Sequence, residues 1–130
     1  MAVLNFPIPY TEELLYSTVA RAGVRQGLTS PKQLLDEVFE SRSIIATIDL
    51  PNHLAMLSRW LPEEFTPDKL IYSHTLFPLY APFVPEARRF QCMNWLYQGT
   101  QGAAHLALGV AASRIKSPRF VRYCTGCMPA

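Results

Sequence analysis

The sequence predicts an all-α fold, and three observations predict it. Capping residues stand directly before proline at Ser30-Pro31 and Thr66-Pro67. That order opens a helix, because proline there lacks only an amide that would have no partner anyway. Apolar residues recur behind these openings at three- and four-residue spacing, the period of one helix face. The one β-branched run, Ser43-Ile44-Ile45-Ala46-Thr47-Ile48-Asp49, has no convincing second strand to pair with. It reads as a buried turn or short helix despite its strand propensity.

The elements follow in order. Thr11 is placed to cap a first helix, with Glu12 and Glu13 facing the positive end of its macrodipole. Leu14, Leu15, Thr18, Val19 and Ala22 mark its inner face, and Gly27 ends it. Ser30-Pro31-Lys32-Gln33 has the form of a capping box, followed by Leu34, Leu35, Val38 and Phe39 as a buried stripe. Helix, short glycine-containing turn, helix: the pair resembles a helix-turn-helix unit in outline. Its second helix carries Asp36, Glu37 and Glu40, a poor complement for phosphates, and any helical bundle contains such a pair.

Helical spacing resumes from Pro51 to Leu61 with Leu54, Leu57 and Leu61. Thr66-Pro67-Asp68 opens a helix through Leu70, Ile71 and His74. The stretch from His74 to Pro85 holds Pro78, Pro82 and Pro85 among Phe77, Tyr80 and Phe83. Those prolines exclude a continuous helix, so a packed, rigid, extended connection is expected. Pro85-Glu86 starts a helix through Phe90, Met93, Trp95 and Tyr97 that Gly99 terminates, and a last helix runs from Gln101 to Ile115.

Composition bounds the function. The chain has 130 residues, 49% of them hydrophobic, enough for one domain with a core. No apolar run approaches the ~18 residues that cross a bilayer, and Met1 to Pro7 lacks the basic start of a signal peptide. Three cysteines, one of them isolated at Cys92, make a poor disulfide framework and fit a reducing compartment. A cytoplasmic protein is expected. Charge is divided: residues 1–86 carry ten carboxylates against six Lys/Arg, a net of −4, while residues 87–130 carry six Lys/Arg and no carboxylate, a net of +6. Arg114, Lys116, Arg119 and Arg122 fall within nine residues. They suit an anionic partner such as a nucleic-acid backbone, or form a solvated basic face.

No enzyme signature is present. The six glycines are scattered rather than gathered into a phosphate loop, and there is no Gly-x-Ser-x-Gly turn or His-Glu-x-x-His pair. Paired acids at helix starts are explained by the dipole. His53, His74 and His105 sit among apolar residues, where a histidine is expected to be a core residue making one or two hydrogen bonds. No residue is assigned a catalytic role. Cys124 and Cys127 are different: Cys-x-x-Cys is one half of many zinc sites. Arg122-Tyr123 before the pair and Pro129 after it suit a knuckle turn better than a redox motif, which follows a strand and opens a helix. Structural Zn²⁺ takes four ligands, so two are missing, and the sequence is expected to be the front piece of a longer protein. The full expectation is a helical domain over residues 1–118, then the first half of a zinc-finger module over 119–130.

Several stretches together resemble one family. Phe6-Pro7-Ile8-Pro9-Tyr10-Thr11-Glu12-Glu13-Leu14-Leu15-Tyr16-Ser17 is similar to the opening of TniQ/TnsD proteins, which choose insertion sites for transposons. His74-Thr75-Leu76-Phe77-Pro78-Leu79-Tyr80-Ala81-Pro82-Phe83 resembles that family's central motif. The run from Leu108 to Lys116, followed by Arg122-Tyr123-Cys124-Thr125-Gly126-Cys127, resembles its approach to the zinc finger. Ser30 to Val38 looks nearest to the TnsD branch. The resemblance implies a mostly helical domain and target selection without catalysis: the protein marks a DNA site and recruits the AAA+ ATPase TnsC, while some relatives dock instead on a CRISPR surveillance complex. It implies that a downstream Cys and His complete the metal site begun by Cys124 and Cys127. It also implies partner docking in this N-terminal portion, with the acidic face of residues 12–40, including Glu12 and Glu13, and the arm beginning Phe6-Pro7 as candidates. The alternative for the arm is packing over the domain's own core. The alternative for the whole is a structural cap that supports a downstream finger and touches neither DNA nor ATPase.

Overall fold

The computed structural model describes residues 6–40, 49–99, 103–109 and 125–126. Among them there are seven α-helices and no strand. The helices are α1 (Leu15–Arg25), α2 (Pro31–Phe39), α3 (Leu54–Leu57), α4 (Pro67–His74), α5 (Phe77–Tyr80), α6 (Glu86–Gln98) and α7 (Ala103–Ala107). Single 3₁₀ turns follow α3 (Ser58–Trp60) and α5 (Ala81–Phe83). The β-branched run lies outside the described residues, except for Asp49 at a bend. None of the helices described is long and apolar enough to cross a membrane.

The first helix begins four residues after Thr11. Its N-cap is Leu14, which offers no side-chain bond. The chain instead turns at Tyr10–Glu13, with Glu12 in the left-handed region at φ 62° and the Glu13 amide donating to the Tyr10 carbonyl at 3.0 Å. The Glu13 carboxylate reaches the Ser17 and Thr18 hydroxyls of the first turn rather than its amides. The other end closes as the glycine predicts. Gly27 takes φ 68°, the Leu28 amide reaches the Gly23 carbonyl at 3.0 Å, and the Gly27 amide reaches Val24 at 3.1 Å. This paired closure satisfies the last carbonyls of the helix.

Serine and threonine cap the next long helices as expected. Ser30 Oγ accepts from the Gln33 amide at 3.4 Å and Thr66 Oγ1 from the Lys69 amide at 3.3 Å. The capping box is only half closed, because the Gln33 amide nitrogen donates to Glu37 at 3.4 Å. The first two helices meet where Gly23 faces Leu34, and a Cβ on Gly23 would sit 2.9 Å from Leu34 Cδ2.

The core gathers Val38 and Phe39 of α2, Leu54 and Leu57 of α3, Leu70 and Ile71 of α4, Phe77 of α5, and Cys92 and Leu96 of α6. Trp60 joins this cluster through its ring and donates its indole N–H to the Val38 carbonyl at 2.9 Å. On α6 the inward residues are Cys92 and Leu96, while Phe90 is 60% exposed. Gly99 ends α6 at φ 94°. A Cβ there would also collide with the His53 ring, so the position excludes other residues twice over.

The proline-rich stretch is not extended. It folds as α5 and the 3₁₀ turn behind it, each with a proline in its first two positions, where a missing amide costs nothing. Three prolines exclude one long helix but permit short helical turns in series. Thr75 starts this segment: its hydroxyl donates to the Ile71 carbonyl at 2.6 Å and accepts from the Phe77 amide at 3.1 Å. Phe77 is fully buried, edge-on to the Tyr72 ring at 5.9 Å. Tyr80 is half-buried and Phe83 is 84% exposed.

Phe77→Ala is expected to cost about 3–5 kcal/mol, and Tyr80→Ala less because only part of its ring leaves water. Thermal melts check this ranking, and equal midpoints for Phe77→Ala and the parent would contradict the packing described.

Candidate functional site

Glu13 joins the N-terminal arm, α1 and α4. Standing just ahead of α1, its carboxylate accepts from Ser17 Oγ at 2.9 Å, Thr18 Oγ1 at 2.8 Å and the Tyr10 amide at 3.1 Å. The Arg21 guanidinium donates to both of its oxygens, at 2.6 and 2.9 Å. Burial alone would raise this carboxyl's pKa, but the bonds from Arg21, Thr18, the Tyr10 amide and Ser17 together bring it down to about 2. Arg21 reaches on to the arm, donating to the Ile8 carbonyl at 3.0 Å and lying over the Tyr10 ring at 4.0 Å. The Glu13 carbonyl accepts from His74 Nδ1 at 2.7 Å. A carbonyl can only accept, so Nδ1 carries the proton.

The residues expected to bind a partner therefore differ in availability. Phe6 is half-buried against the core and Pro7 is buried, so both pack over the domain itself. The Glu13 side chain is 10% exposed, with its oxygens engaged within the chain. Glu12 stands exposed. It lines a cleft of about 510 Å³ between the turn before α1 and the outer side of α4, beside Thr11, Lys69, Ser73 and His74. A second concavity, about 300 Å³, lies between α1 and α2 and is walled by apolar side chains including Val19, Leu28, Leu34 and Leu35.

The expected DNA-binding residues Arg114, Lys116, Arg119 and Arg122 lie outside the described residues, as do Cys124 and Cys127. Between the two cysteines, Thr125 and Gly126 form an exposed turn. Among the described residues no group of three or more His, Cys, Asp or Glu could hold a metal ion.

The histidines are anchored as structural residues. His74 is buried with its bond to Glu13. His105 Nε2 lies 2.9 Å from Asp49 Oδ1, tying α7 to the loop before α3. Burial would raise the Asp49 carboxyl, but His105 and the Leu50 amide hold it below the ordinary carboxylate range. His53 packs near the Phe39 ring and against Gly99, and burial lowers its pKa. Sequence reading missed both the His74–Glu13 and His105–Asp49 pairs, which span 61 and 56 residues. No local pattern signals contacts at that range.

A protein-family model described as TniQ matches residues 4–130. The chain belongs to the TniQ family. It is also 55% identical over 126 residues to the Transposon Tn7 transposition protein TnsD of Escherichia coli, an overlap that covers 95% of this chain and 25% of TnsD. This TniQ chain therefore spans a quarter of the length of that relative. The family is one of non-catalytic targeting proteins, which agrees with reading the chain as something other than an enzyme.

Glu13→Gln is expected to destabilise the TniQ chain at neutral pH by about 1–3 kcal/mol, since a charged acceptor of several bonds is lost. The pH dependence has a fixed sign. Glu13 titrates near 2 in the fold against 4.5 in its absence, so its contribution is full above pH 4.5 and drains away as pH falls toward 2. Melts of parent and variant between pH 7 and pH 2 should converge at the acid end, and a constant gap would contradict this role.

Proposed function

We propose that this chain is a non-catalytic adaptor in transposition that marks a DNA target site and recruits the AAA+ ATPase TnsC. The observation that carries the reading is 55% identity to a transposition protein across 95% of the chain, together with the TniQ match over residues 4–130. Identity at that level over a whole domain leaves its core and surface chemistry largely in common. A binding role also suits the described residues, whose strongly bonded polar groups, Glu13 and Asp49, are spent on anchoring rather than poised over a reacting site.

Within this reading the helical part over residues 1–118 docks the partner, and residues 119–130 begin the metal module. Cys124 and Cys127 would hold Zn²⁺, with the exposed Thr125–Gly126 turn between them giving the reversal a knuckle needs. The other two ligands would come from outside the described residues. Zn²⁺ there supplies folding energy rather than chemistry. The helix pair α1 and α2, joined by a short turn, serves as a helix-turn-helix-like unit that supports docking. Its acids Asp36, Glu37 and Glu40 disfavour groove entry. Contact with the duplex backbone falls to Arg114, Lys116, Arg119 and Arg122.

Two measurements test the proposal. Purified TnsC should be retained by the immobilised chain. Affinity for duplex DNA should fall steeply with salt, and Arg119→Glu with Arg122→Glu should weaken it and flatten the log–log salt slope by about 0.9 per lost phosphate contact. Unchanged DNA affinity in that double variant at low salt would reduce the basic segment to a solubilising face, and no retention of TnsC would remove the recruitment role.

A further inference from the structure

The cleft beside Glu12 has a chemical bias that none of the assigned roles uses. Four polar side chains line it. The Glu12 carboxylate is exposed and makes no hydrogen bond or ion pair among the described residues. Thr11 and Ser73 contribute hydroxyls. His74, only 5% exposed, lines the same cleft. Its Nδ1 proton is committed to the Glu13 carbonyl at 2.7 Å, which leaves Nε2 as the other polar atom of the ring. Two aromatic side chains, Phe65 and Tyr72, also line the cleft. The Tyr72 hydroxyl already donates toward Met93 sulfur at 3.6 Å, which leaves its oxygen as one more acceptor. Glu12 holds a left-handed conformation, φ 62°, which costs a non-glycine residue energy and is common where a side chain must be aimed.

We propose that this cleft is a socket for an arginine side chain presented by a protein partner. A guanidinium offers five donors in a plane and stacks on aromatic faces, matching a cleft lined by polar and aromatic side chains. An anion is disfavoured, because the exposed Glu12 carboxylate repels it. Lys69 is the one opposing charge. Its ammonium rests over the Phe65 ring, 4.8 Å from the centroid, so the incoming guanidinium displaces it from that face. The inference rests on the recruitment reading only for which protein brings the arginine.

The test titrates the chain with N-acetyl-arginine amide, and with the lysine and glutamate analogues, following backbone amides and the His74 ring nitrogens by NMR. The arginine compound is expected to shift Glu12, Ser73 and His74 Nε2 with a Kd of about 1–10 mM. Glu12→Gln should weaken it roughly tenfold, about 1.4 kcal/mol, and Lys69→Gln should strengthen it. Stronger binding of the glutamate compound, or no shift up to about 50 mM, overturns the socket. A second arm measures TnsC binding. Loss of affinity in Glu12→Gln supports the socket as part of the docking face. Equal binding by parent and Glu12→Gln overturns that role while recruitment stands. No binding even by the parent overturns recruitment and leaves the socket to the titration.

Discussion

One carboxylate organises the front of this domain. Glu13 collects donors from the arm, from the first turns of α1 and from Arg21, while its own backbone carbonyl holds His74 of α4. A charged group out of water is costly unless its bonds are complete, and here they are complete only if the arm and the first turns of α1 both stand in place. The depressed pKa is the signature of that cooperation. Arg21 extends the linkage to Ile8 and Tyr10. The arm is thereby fixed against the body, with Pro7 sealed beneath it.

The proline-rich centre works by a related economy. Each proline sits where a helical turn has no use for its amide. The segment runs as two short helical turns in series, and Phe77 at its start is buried in the core. The Leu76 amide donates to the Asp49 carbonyl at 2.9 Å, and the Asp49 carboxylate takes His105. Asp49 therefore holds this segment on one side and α7 on the other. Since α7 has only five residues, too few to persist alone, its place depends on this pair and on the burial of Ala104 and Leu108.

The family match and the charge division suggest a division of labour along the chain. Residues 1–86 carry a net of −4, and the surplus positive charge falls after residue 86. The proposed function puts docking in the helical part and DNA contact in the basic stretch after residue 86. Such a layout suits an adaptor, which must touch two partners at once without performing chemistry on either.

Much of the fold was legible in the sequence because its causes are local. Ser30 and Thr66 before proline, Gly27 and Gly99 at helix ends, Leu54 and Leu57 of α3, and Leu70 and Ile71 of α4 act through neighbours within one helical turn, and each does what its spacing predicts. The family motifs were legible for the same reason, as contiguous strings. Tertiary structure decided what depends on distant partners. It turned Glu13 from a helix-end acid into a buried hub, moved the start of α1 past Thr11, folded the proline stretch into turns, and pointed Phe90 outward while Cys92 took the core. Of the acids at residues 12 and 13, it consumed one and left the other facing a cleft built with α4. Local order can be read along the chain because it is set by residues a few positions apart. The cost of enclosing the Asp49 carboxylate is met only when His105, 56 residues further on, arrives beside it.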